Sequence, residues 1–173
     1  MFEIRILSQN DTNDYQALRL ESFRESPYAF SESYEDAINI SKEEFKAEIT
    51  PTGTPPEQFV LGVVKDKSTL AGFVKFRRDK RTKARHKSMI HAMYIAPQYR
   101  NLKLGEQLIQ EVIKRARTLE GLEQIHLWVL HNNKISASNF YKRCGFISQG
   151  PFVKQDIKVG EEYVDAEYMV MHL

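Results

Sequence analysis

The stretch Met93-Tyr-Ile-Ala-Pro-Gln-Tyr-Arg-Asn-Leu-Lys-Leu-Gly-Glu-Gln-Leu108 carries an apolar strand through Pro97 into a short turn that opens a helix. Residues in this order make an anion site. The first N–H groups of a helix have no intrahelical acceptor. Successive backbone donors at Asn101, Leu102, Lys103, Leu104, Gly105 and Glu106 can therefore converge on a phosphate at the positive end of the helix dipole. Gly105 has no Cβ to hold the ligand off the backbone, and Lys103 adds a cation beside the same point. A second block, Asn133-Lys-Ile-Ser-Ala-Ser-Asn-Phe-Tyr-Lys-Arg-Cys-Gly-Phe146, reads as a short helix that Gly145 ends, with Tyr141 inside it.

The two blocks resemble the acyl-CoA signature and a later conserved-type region of the GNAT superfamily of N-acetyltransferases. In the signature, Arg/Gln-x-x-Gly-x-Gly/Ala, Arg100 and Gly105 take the outer positions and Lys103 stands where the inner glycine is expected. That is a departure, because glycine serves where φ is positive or a ligand passes very close, and lysine resists both. The later region, Asn-x-x-Ala-x-x-x-Tyr-x-x-x-Gly-Phe, is matched closely from Tyr141 to Phe146. Its first spacing is one residue longer here, so the family's cofactor-contacting Asn is either Asn133, or Lys134 occupies its place.

The resemblance implies an N-acetyltransferase with acetyl-CoA as cosubstrate, passing the acetyl group to a primary amine of a small molecule or protein by direct attack in a ternary complex. Main-chain groups of Met93 and Ile95 would meet the pantetheine and thioester, and Arg100 to Glu106 would hold the phosphates. Tyr141 matches the family's general acid. The family's frequent general-base glutamate falls, by offset from Ile95, at His91, which would act directly or through water. The acceptor would lie over the first two helices, where Tyr28, Phe30, Glu32 and Tyr34 mix rings with a carboxylate suited to a cationic amine; a solvated loop with anchoring aromatics competes with that reading. The departures at Lys103 and His91 keep open a non-catalytic acyl-CoA-binding module.

Composition narrows the field. A chain of 173 residues fits one domain, 1–173, around a single core, and its 42% hydrophobic and 28% charged residues are those of a soluble globular protein. No apolar run approaches the roughly 20 residues of a membrane span, and Met1 to Leu7 lacks the pattern of a secretory signal, so a cytoplasmic protein without membrane contact is expected. One cysteine, Cys144, gives neither a disulfide framework nor a cysteine-based zinc site, and no metal is expected. Lys75, Arg77, Arg78, Lys80, Arg81, Lys83, Arg85 and Lys87 face only Asp79 in residues 75–87, a local charge of +7 against a net +2, so the remainder carries −5. The segment lacks the aromatic interleaving that stacks bases, which favours a solvated loop over a nucleic-acid surface, with a partner subunit or the cofactor's ribose phosphate as other uses.

Periodicity supplies the elements that must position these residues. Strand alternation at Phe2–Leu7 precedes a helix capped by Asp11 or Thr12 and ended by Pro27. Ser41-Lys-Glu-Glu44 is a capping box for a short helix with Phe45 and Ile49. Phe59–Lys65 and Leu70–Arg77 form a hairpin, Ser88–Ile95 a third strand, and Leu104, Leu108, Ile109, Val112, Ile113, Ala116 and Leu119 one apolar helix face stopped by Gly121. Gln124–Leu130 is a strand with Trp128 packed in the core, residues 136–144 a helix, and Phe146–Val153 and Tyr163–Met171 a last hairpin around Val159-Gly160. The order predicts an α/β fold, a mixed and mostly antiparallel central sheet with helices on both faces. This is also the order of the GNAT fold. Exposed sheet edges leave a homodimer open.

Overall fold

Eight strands form one sheet in the order β1-β2-β3-β4-β5-β8-β6, with β7 also paired to β8, in a computed structural model that describes residues 1–131 and 137–173. β1 (Phe2–Ile6) and β2 (Gln58–Lys65) are antiparallel, as are β2 and β3 (Thr69–Arg78). The β2–β3 turn closes with Ser68 N–H on Lys65 O (3.1 Å), and its central Asp66 and Lys67 both have positive φ (48° and 65°), the turn whose twist suits a hairpin. β4 (Lys87–Ile95) continues the antiparallel run, and α4 (Leu104–Ala116) then crosses over to β5 (Gln124–His131), the one parallel neighbour. A parallel pair needs such a crossover.

Each sheet face carries its own core. On one side α4 lays Leu104, Leu108, Ile109, Val112 and Ile113 against Val74, Phe76, Ile90, Ile125 and Leu127. On the other, Tyr15, Leu18 and Phe23 of α1 (Thr12–Glu25) and Phe45 and Ile49 of α3 (Lys42–Ile49) cover Val60, Phe73, Ala92 and Tyr94. The expected capping box forms at α3, with Ser41 Oγ accepting from Glu44 N–H (3.2 Å) and Glu44 from Ser41 N–H (2.9 Å). Ser33 and Asp36 repeat the device and define a one-turn helix, α2 (Tyr34–Ala37), too short for periodicity to reveal.

Two irregularities at β4 shape the site. Lys75 pairs with Ala92 and Phe76 with Ile90, so His91 is an extra residue in a β-bulge. The bulge reverses the pleat: Ile90 faces the α4 core, whereas beyond it Ala92 and Tyr94 face α1 and Met93 and Ile95 turn toward α4. In addition, β4 and β5 pair only over Lys87–Met89 and Gln124–His126. Both strands run on, to Ile95 and His131, and diverge into a gap.

Three expectations need correction. The last hairpin is not Phe146–Val153 with Tyr163–Met171: Gly150-Pro151 breaks the first strand into β6 (Ile147–Ser148) and β7 (Val153–Val159), both paired with β8 (Glu162–His172). Proline cannot donate to the ladder, and Gly150 has φ 135°. Trp128 is not core; it is 49% exposed and its ring lies tilted against that of Tyr168 (centroids 4.7 Å apart, planes at 38°). The basic segment is only partly a solvated loop. Arg78 is 7% exposed and donates to Arg85 O (2.6 Å), Glu57 Oε1 (2.9 Å) and Glu120 O (2.8 Å), while Arg85 also forks onto Glu57. Among the described residues, no helix is long and apolar enough to cross a membrane.

Candidate active site

At the end of β4, Ala96 N–H returns to Ala71 O (3.0 Å), and Tyr99 and Arg100 N–H close a tight turn on Ala96 O (2.9 Å) and Pro97 O (3.2 Å). Asn101 (φ 63°) and Lys103 (φ 58°) are both left-handed, and α4 follows. Gln107 N–H bonds Lys103 O (3.1 Å), so the amides of Leu104, Gly105 and Glu106 precede the intrahelical ladder and are free to meet an anion. Lys103 thus holds the backbone conformation that the inner glycine of the signature would adopt, at a cost of about 1 kcal/mol. A Cβ on Gly105 would lie 2.9 Å from Met93 Cε and 3.3 Å from Phe140 Cζ, which explains the glycine by close packing.

Arg100 does something other than reach outward. Its Nε donates to Ile95 O (3.0 Å), and its Nη1 and Nη2 donate to the two Glu25 carboxylate oxygens of α1 (3.2 and 2.6 Å). The guanidinium holds Glu25 below its ordinary pKa. The cavity here is lined by Arg100, Asn101, Lys103, Leu104, Gly105 and Glu106, together with Met93, Ile95 and Tyr141. Leu102 lies outside that lining and is 50% exposed. Asn133 and Lys134 lie outside the described residues.

The gap between β4 and β5 exposes backbone. Since Ala96 N–H and the Arg100-bound carbonyl of Ile95 point to opposite sides, antiparallel alternation turns the N–H and C=O of Met93 and Ile95 away from β3. They face the opening that β5 has left. Tyr141, on α5 (Ser138–Arg143), aims its hydroxyl at Met93 Sδ (3.8 Å). Burial, then the neighbouring Cys144, pushes its pKa well above the ordinary tyrosine value, so the phenol keeps its proton at neutral pH.

A second cleft meets the first at this point: Met93, Ala137 and Tyr141 line both. Its walls are Tyr28, Phe30 and Glu32 on one side and His91 and Trp128 on the other, with Asp156 of β7 at the edge. The buried Arg19 anchors the loop, its guanidinium 4.2 Å from the Phe23 centroid, 4.9 Å from that of Phe30 and 3.8 Å from Glu32. Tyr34 is turned elsewhere, beneath Arg24 (4.2 Å) and outside this lining. His91 keeps exposed surface in the cleft, yet the surrounding protein, then Arg77 and Lys75, lower its pKa to about 4. Glu32 and Glu48 act in the opposite sense, each more weakly than either cation. Among the described residues, no cluster of three or more His, Cys, Asp or Glu side chains is placed to hold a metal.

Sequence reasoning missed Asp156, hidden by the fused last hairpin, and Arg19, whose i+4 spacing to Phe23 was its one signal. It also missed that Trp128 faces the cleft.

Comparison with known proteins gives the same picture. Residues 15–146 match the model of the Acetyltransferase (GNAT) family. The chain is 29% identical over 145 residues to spermidine N(1)-acetyltransferase of Thermoplasma acidophilum, covering 81% of this chain and 85% of that one. Among solved structures, it resembles a GNAT-family acetyltransferase from Streptococcus pneumoniae (TM-score 0.80, 21% identity, covering 100% of this chain and 99% of the other). It also resembles the PaiA N-acetyltransferase of Thermoplasma acidophilum in complex with coenzyme A (TM-score 0.75, 24% identity, covering 100% and 99%).

Proposed function

The chain belongs to the acetyltransferase (GNAT) family, enzymes that draw on acetyl-CoA, and from that premise we propose that it acetylates a primary amine of a small molecule or protein by direct attack in a ternary complex. The observation that carries the reading is the meeting of two clefts at Met93 and Tyr141, one opening on the helix amides of Leu104 to Glu106, the other on His91. Acetyl-CoA would enter through the first, its phosphates on those amides. The acceptor would enter through the second, so that the two reactants meet in the gap between β4 and β5. Lys103, the departure that kept a non-catalytic module open, holds the glycine-type conformation.

The chemistry needs few groups. A lysine-type amine titrates near 10.4 and must be neutral to attack. As its nitrogen bonds to the thioester carbon, the carbonyl oxygen becomes an oxyanion, and the main-chain N–H of Met93, turned away from β3, is the donor the junction offers it. The carbon–sulfur bond then breaks, the thiolate takes the Tyr141 proton, and the amine's surplus proton leaves to His91 directly or through water. Cytoplasmic action belongs to the same reading.

Initial velocities measured over a grid of acetyl-CoA and amine concentrations test it. Spermidine, the amine in the Thermoplasma relative's name, belongs among the first acceptors. Intersecting double-reciprocal lines are expected. Parallel lines would mean an acetyl-enzyme and overturn direct attack, and no CoA release with any amine would overturn amine acetylation itself.

A further inference from the structure

The cations of residues 75–87 are not scattered. Lys75 pairs with Glu48 (3.1 Å), Arg78 and Arg85 with Glu57, and Arg81 with Asp79 (2.6 Å). Of the four that have no carboxylate within ion-pair distance among the described residues, Arg77, Lys80 and Lys87 line one groove, and Lys83 alone does not. The groove is also lined by the ion pair of Arg81 with Asp79, whose carboxylate feels Arg77 as well, so four cations face one carboxylate around one hollow, and that surplus marks a place for an anion.

The groove is a built one. Its floor holds His126, whose Nε2 meets Gln124 Oε1 (2.8 Å) and whose Nδ1 meets the Tyr168 hydroxyl. Burial, then Lys87, keeps His126 below its ordinary pKa, and His91 responds to Arg77 in the same sense, as a positive potential requires. Met89 and His91 line both this groove and the acceptor cleft, so the two are continuous. Along β4, Met93 and Met89 are four residues apart, about 13 Å in an extended strand and less through the bulge.

We infer that the acceptor is an amine bearing a carboxylate or phosphate roughly 10–20 Å from the reacting nitrogen, the strand span from Met93 to Met89 and to Lys87, its amine at the Met93–Tyr141 junction and its anion among Arg77, Lys80 and Lys87. The inference rests on the acetyl-transfer reading above. A polyamine would instead bring a second ammonium against three like charges.

The test compares initial rates of CoA release for ω-amino carboxylates, ω-aminoalkyl phosphates, neutral amino alcohols and diamines of matched length. At the best length the anionic amines should show a KM at least about tenfold below the amino alcohol, and the Arg77→Glu/Lys87→Glu variant should erase that factor, read as the ratio of the two KM values within the same protein. Carboxylate against phosphate identifies the source of the anion. Equal KM values, a preference for diamines, or a preference that survives charge reversal would overturn the inference. If the double variant does not fold, Lys80→Glu at an exposed loop position carries the same test with about a threefold loss.

Binding is read separately by Trp128, the chain's single tryptophan, in ring contact with the Tyr168 that lines the groove. Its fluorescence should respond saturably to ω-amino carboxylates and lose that response in the variant. No saturable response overturns the inference whether or not any amine is acetylated. A saturable response with no CoA release from any amine counts against acetyl transfer and leaves the groove standing.

Discussion

His91 owes its place to the bulge and its charge state to its neighbours. With a pKa near 4 it is neutral at pH 7 and can accept a proton. Two pH effects follow. In kcat/KM, the rise with pH that comes from the amine's own deprotonation should run through 6.5 without a break, and an acid limb should appear only near pH 4 to 5; a break at 6.5 would contradict the assignment. His91→Ala should lower kcat/KM by about 10²-fold. For stability, the folded pKa lies below the unfolded value of about 6.5, so between these values the unfolded chain binds the proton first. Stability should therefore fall as pH drops from 6.5 toward 4, as His126, shifted in the same direction, also requires. Urea midpoints at pH 7 and 5 measure it, and His91→Gln should reduce the difference.

The turn before α4 is held as an element, not as a set of side chains. Arg100 ties it to Glu25 of α1 and to Ile95 O, and Tyr94 donates to Glu21 on the same helix (3.1 Å). With 42% of its side chain exposed, Arg100 in its pair with Glu25 is worth at most about 1 kcal/mol of stability. Its effect lies in fixing where the amides of Leu104 to Glu106 point. Arg100→Ala and Glu25→Ala should each weaken acetyl-CoA binding by about three- to tenfold, and the double variant by no more than either alone, because both break one tie. Calorimetric titration with acetyl-CoA decides it. A loss confined to Arg100→Ala would show that the guanidinium meets the phosphates itself.

The whole molecule is a sheet pried open where β4 and β5 part, with two clefts that share Met93, Ala137 and Tyr141. Much of this was legible in sequence. Periodicity placed β2, β3, β4, β5 and α4 within a residue or two, apart from α4's C-terminal end, because both faces of the sheet are buried and α4 presents one apolar stripe. The turn before α4 was legible because its proline, glycine and helix start are contiguous. What was not legible is non-local. The bulge at His91 depends on the register of β3, the divergence of β5 on how far pairing persists, and the anion groove on His126 and Tyr168, 42 residues apart in sequence and brought beside a basic segment that carries no stacking aromatics of its own. Even the break at Gly150-Pro151 was written locally and overridden by the apolar run around it.

If chemistry happens where Tyr141 meets Met93, Tyr141→Phe exposes it, with turnover and acetyl-CoA binding measured on the same preparation. The phenyl ring keeps the packing against Phe140 and Phe146 and removes only the hydroxyl. The expected result is a kcat lowered by about 10²-fold with acetyl-CoA affinity within about twofold of the unmodified protein. A kcat that stays within about twofold would contradict it and move the proton donor elsewhere.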